Sequence, residues 1–163
     1  MIYASLADMV ERFGEQELIQ STDRDFTGQI NAQAVGRALA DATACADGYL
    51  GRIYQLPLRG CAVPPTAPGI ALTFVPPPVL TRMVCDLARY YLCINVAETH
   101  VSVLRYKAVM KDLQALVDGS TQLACPWGGT AGTTLHANAL EESTVYHSFA
   151  PKQMSADNLR GFA

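Results

Sequence analysis

A mainly α fold is predicted for this chain of 163 residues: a small helical bundle of about four to five helices, with a proline-rich loop or hairpin insertion and an extended C-terminal arm. Three observations predict it. In residues 79–95, VLTRMVCDLARYYLCIN, the residues Leu80, Met83, Val84, Leu87, Tyr90, Tyr91 and Ile94 recur at spacings of three and four, the helical period. Six prolines fall between Pro64 and Pro78 and interrupt that period. Beyond Gly119 the period stops, and the chain becomes rich in Gly, Thr, Ser and Ala. The expected organisation is therefore a helical domain over 1–119, an insertion over 59–78 and an arm over 120–163.

Half of the residues are apolar and 17% are charged, the balance of a globular chain that hides further apolar surface in an oligomer. No uninterrupted apolar run approaches the ~18 residues that a membrane helix needs. The start, MIYASLADMVERF, lacks a basic segment followed by an apolar one, so no signal peptide is expected and synthesis is placed in the cytoplasm. The five cysteines are odd in number and form no CxxC pair, which suggests neither a disulfide framework nor a zinc site. Cys45, Cys85 and Cys93 lie in helical patterns and read as buried thiols. The net charge of −3 is uneven, with eight acids and three bases in residues 1–50 against seven and nine in the remainder. No Lys/Arg cluster marks a nucleic-acid footprint.

In chain order, Ser5 with Asp8 three residues on forms a helix start before Leu6, Met9, Val10 and Phe13, and Gly14 forms a stop. A short helical turn follows over 15–20. Residues 21–31, STDRDFTGQIN, place Asp23, Asp25 and Gly28 as in a calcium loop. Thr27 replaces a ligand, however, and Ala34 stands where the bidentate Glu belongs. A polar turn whose Asp side chains satisfy backbone donors is the stronger reading, and no metal is expected. Asn31 then caps a long alanine-rich helix, Ala32–Leu50. Within 59–78, GIALTFV reads as a short strand or hairpin arm. It is either a loop lying on its own core or a contact arm for a neighbouring subunit. A last amphipathic helix is expected over 98–118.

No constellation for catalysis is found. There is no G-x-x-x-x-G-K-[ST], G-x-G-x-x-G, H-E-x-x-H or G-x-S-x-G, and His100, His136 and His147 are far apart. Arg82, Asp86 and Arg89 form the one polar stripe of the central helix, at ion-pair spacing. They read as a subunit contact and not as a catalytic trio. No enzyme and no cofactor is expected, and a DNA-binding regulator would need a basic recognition helix that the chain lacks.

The opening IYASLADMVERFGEQELIQSTDRD, the helix end ADGYL with GRIYQLPL, and CDLARYYL before a final amphipathic helix together resemble the neck (head–tail connector) proteins of Mu-like phages and prophages. The order of elements is similar over about residues 1–120, and SADNLRGF resembles the short tail that closes many members. The longer insertion at 59–78 departs from the pattern. The resemblance implies an adaptor of the virion neck, made in the host bacterial cytoplasm. Such adaptors form a homo-oligomeric ring, commonly a dodecamer, between the portal protein and the next neck or tail component, and DNA passes through without sequence-specific binding. A tail-side stopper or terminator is the alternative, although stoppers are more often β-rich.

Within that frame, isolated aromatic and apolar residues of the arm read as portal-docking anchors: Trp127, Tyr146, Phe149, Asn158, Leu159, Arg160 and Phe162. Ile70, Leu72, Phe74 and Val75, with Arg82, Asp86 and Arg89, read as inter-subunit or inter-ring contacts.

Overall fold

A computed structural model of the chain describes residues 2–67, 70–93 and 96–135. Five helices carry the fold. Helix α1, Leu6–Phe13, opens on a complete capping box. The Ser5 backbone N–H and hydroxyl both donate to Asp8 Oδ2, at 2.7 and 2.6 Å, and the Asp8 N–H returns to Ser5 Oγ at 3.3 Å. These bonds hold the Asp8 carboxyl below the usual carboxylate range. Gly14 ends α1 at φ +83°, and α2, Glu15–Thr22, follows at once.

The turn after α2 is built as a polar turn. Asp23 accepts from the N–H groups of Thr27 and Gly28, at 2.9 and 2.6 Å, and those bonds lower its pKa. Helix α3, Ala32–Leu50, starts where Asn31 Oδ1 accepts the Ala34 N–H. It buries Val35, Ala38, Leu39, Ala42, Ala46 and Leu50, so small side chains bring its neighbours close.

Helix α4, Pro78–Leu92, is the buried centre, with Leu80, Met83, Val84, Cys85, Asp86, Leu87, Ala88 and Leu92 inside. It begins at Pro78, whose missing N–H is harmless in a first turn. Cys93 is already extended, so the helix stops short of the expected 95, while Ile94 and Asn95 lie outside the described residues. Helix α5, Val101–Val117, starts three residues later than expected because His100 is its cap, with Nδ1 accepting the Ser102 N–H at 3.2 Å. Helices α3, α4 and α5 pack on one another, and α1 packs on α3 and α4.

Between α3 and α4, β1 (Cys61–Val63) pairs antiparallel with β2 (Thr73–Val75) in the register Cys61↔Val75, Ala62↔Phe74 and Val63↔Thr73. The hairpin arm expected from GIALTFV is present, kept to three residues by the prolines on its flanks.

Two expectations are corrected. Cys61 and Cys125 form a disulfide with Cα atoms 5.4 Å apart. Their 64-residue separation gives no local spacing to recognise, and an odd count of cysteines does not exclude one bridge. Residues 120–135, read as the start of an extended arm, lie against the core instead. Leu123, Cys125 and Ala131 are buried. Backbone bonds run from Gln55 N–H to Thr133 O, from Gly60 N–H to Ala131 O and from Leu135 N–H to Ile53 O. The Leu123 N–H donates to the Tyr54 hydroxyl. The approach is close enough that a Cβ on Gly132 would sit 2.8 Å from Leu58 Cδ2.

Candidate assembly surfaces

The polar stripe of α4, read from the sequence as a subunit contact, makes its ion pairs within the chain. Asp86 is only 3% exposed. Its carboxylate accepts from Arg105 Nη1 of α5 at 3.2 Å and lies 3.7 Å from Arg82 Nη1. Arg82 also donates to Asp112 of α5 at 3.1 Å. Arg89 faces Glu17 of α2, and its guanidinium lies 4.7 Å over the Phe13 ring. Its Nε touches the carboxylate off the hydrogen-bonding angle, so the contact is ionic and not a directed bond. Arg82, Asp86 and Arg89 thus clamp α4 to α5 and α2.

The hairpin divides its four candidate residues. Ile70 and Leu72 are 53% and 56% exposed. Phe74 lies under the Arg59 guanidinium at 4.6 Å, and Val75 packs against the core. Ile70 and Leu72 precede β2, whereas Phe74 and Val75 lie within it, opposite Ala62 and Cys61 of β1.

Trp127 is half exposed on a tight turn. The turn is closed by the bond from Gly128 N–H to Cys125 O and that from Cys125 N–H to Gly129 O, with both glycines at positive φ. Because Cys125 is bonded to Cys61 in β1, the Trp127 turn and the proline-flanked hairpin form one stapled unit. The sequence placed these in separate segments. Tyr146, Phe149, Asn158, Leu159, Arg160 and Phe162 lie outside the described residues.

Several exposed features carry no motif. Phe26 is 94% exposed and holds φ +55°, a conformation that a bulky residue rarely adopts. Val101 and Leu104 face solvent on the outer side of α5, at 52% and 55%. The spacing Val101–Leu104–Ala108 was visible as a second apolar row opposite the core row of that helix. Tyr90 and Tyr106 stack with ring centroids 4.1 Å apart, joining α4 to α5. Burial and a hydrogen bond with Cys45 raise the hydroxyl pKa of the neighbouring Tyr91.

Among the described residues no group of three or more His, Cys, Asp or Glu side chains is arranged to hold a metal ion. No helix among them is long and apolar enough to cross a membrane. The geometry is that of packing surfaces: partly exposed ion pairs holding helices together, and exposed apolar side chains on a hairpin, a turn and a helix.

Residues 3–141 match the family model described as Bacteriophage Mu, Gp36. The chain is similar to "Gene product J" of Escherichia phage Mu, at 29% identity over 122 residues that cover 74% of this chain and 75% of that protein. It is also similar to "Mu-like prophage FluMu protein gp36" of Haemophilus influenzae, at 28% identity over 123 residues, 76% of each. With most of its length matched, the chain belongs to the Bacteriophage Mu Gp36 family.

Proposed function

We propose that this chain is a structural, non-catalytic protein of the phage virion: a head–tail connector (adaptor) whose copies form a ring, a dodecamer, between the portal protein and the next neck or tail component. The observation that carries this reading is the family match across residues 3–141, in a chain whose own motifs already resembled phage neck proteins. The architecture supports it. A mainly helical bundle, internally clamped by ion pairs, presents an apolar hairpin stapled to an exposed tryptophan turn, and rigid presentation of aromatic anchors suits a docking surface. DNA crosses the ring without base-specific contact, and a chain of net charge −3 does not hold it back. Residues 136–163, with the anchors Tyr146, Phe149, Asn158, Leu159, Arg160 and Phe162, reach the portal.

A prophage lacking this gene, induced and imaged, tests the reading. Packaged heads that fail to join tails, with density for a ring missing below the portal, are the expected result. Normal particles would sink it. Cross-links from Trp127 variants to the tail tube, with none to the portal, would favour a tail-side stopper instead.

A further inference from the structure

Beside the N-terminal segment, α3 walls an apolar groove of about 480 Å³, lined by Ile2, Leu6, Gly36, Ala40 and Ala44, with Asp47 toward one end. Gly36 lies inside a helix, where glycine is unfavourable by roughly 1 kcal/mol relative to alanine. Nothing among the described residues requires it. Its φ is not left-handed, and a Cβ there would meet no atom within 4 Å. The missing side chain therefore deepens the groove outward and serves no internal approach.

The outer row of α5 has the opposite shape. Val101, Leu104 and Ala108 are exposed at spacings of three and four. Lys107 and Lys111 stand in the same row and, among the described residues, enter none of the ion pairs, whereas Arg105 is held by Asp86. A ridge of apolar side chains edged by two free cations suits an apolar groove in an acidic surround. The groove carries one charged lining residue, the acidic Asp47, and no basic one. Helix α1, which enters it through Leu6, bears Asp8 and Glu11. Helices α1 and α5 each pack on α3 and α4, and no α5 residue lines the groove, so ridge and groove are separate patches on one molecule.

We propose that the Val101–Leu104–Ala108 ridge of α5, with Lys107 and Lys111, docks into the α1–α3 groove of a second copy of this chain. Two different patches in contact make a heterologous interface, which closes into a ring when the rotation between copies allows. The inference rests on the ring reading above and adds the two faces that join.

The test uses the full-length chain and two blocked variants, with mass measured in solution. Gly36→Gln fills the groove, and Leu104→Glu with Lys107→Glu spoils the ridge. Wild type is expected to form species larger than a dimer. Each variant alone is expected to assemble at least tenfold more weakly. An equimolar mixture should give dimers and nothing larger, because one intact ridge then meets one intact groove. Gly36→Gln should melt no lower than wild type, which separates lost assembly from lost folding. Ala40→Arg, at an exposed position, is a second groove block. Folded variants that assemble like wild type would overturn the two faces while leaving the ring intact. A mixture that stays monomeric would overturn the pairing of ridge with groove. A wild-type chain that is monomeric at every concentration would overturn the ring reading and this inference with it.

Discussion

Arg105 of α5 donates from Nη1 to the nearly buried Asp86 carboxylate of α4 at 3.2 Å, joining the two helices at the centre of the chain. Removing the cation leaves a carboxylate inside with only the longer Arg82 contact. Arg105 is about half exposed, so solvent screens part of the loss. Arg105→Ala should lower the unfolding free energy by about 1–2 kcal/mol, less than a fully buried pair would show. In urea titrations, Asp86→Ala combined with Arg105→Ala should be milder than the sum of the two singles. Strict additivity would show that the contact is not coupled.

The Cys61–Cys125 bridge closes a 64-residue loop. Chain entropy for a loop of that size gives about 4 kcal/mol of stabilisation. Reductant, or Cys61→Ser, should therefore lower Tm by roughly 10 °C. Truncation has a matching expectation. A chain ending at 119 loses the bridge and the buried Leu123 and should melt far lower than one ending at 135. Equal melting of the two would contradict the packing of residues 120–135.

Phe26 makes a different case. Its side chain is 94% exposed and its backbone is left-handed, so a residue tolerant of φ +55° loses no burial and relieves strain. Phe26→Asn should raise stability by about 0.5–1 kcal/mol. If the exposed ring is an assembly contact, the same variant should form fewer complete particles in a prophage complementation assay.

The three free cysteines should separate by reactivity. Burial pushes the Cys85 thiol up to about 11 from an ordinary 9, whereas Cys45 and Cys93 are partly exposed. Mass spectrometry after alkylation of the native protein at about pH 8 should find Cys45 and Cys93 modified and Cys85 untouched. The raised pKa also sets a direction with pH. Below 9 both folded and unfolded thiols are protonated and the contribution is complete. Between 9 and 11 only the unfolded thiol ionises, so stability falls as pH rises. Cys85→Ala should flatten that fall.

Local chemistry wrote much of this fold plainly. Ser5 with Asp8, Asn31 before Ala32, and the row Leu80–Met83–Val84–Leu87 name their own helices, because capping and periodicity act over a few residues. His100 hid the true start of α5, since a histidine cap is not among the usual capping residues. The bridge from Cys61 to Cys125 and the pairing of residues 53–60 with 131–135 were invisible, because each depends on atoms 64 to 82 positions apart. The ionic stripe Arg82–Asp86–Arg89 was seen as a group, but its partners within the chain were not. Its partners Glu17, Arg105 and Asp112 come from other helices, and helical spacing alone says nothing about what lies opposite.

The staple between β1 and the tryptophan turn also sets a load path. A tension applied to the two ends of the chain passes from the strand to the turn through sulfur, bypassing everything from β2 to α5. About 64 residues, roughly 220 Å of extended chain, are excluded from that path. Helices α4 and α5 would thus stay unextended while the segments before Cys61 and after Cys125 take the strain.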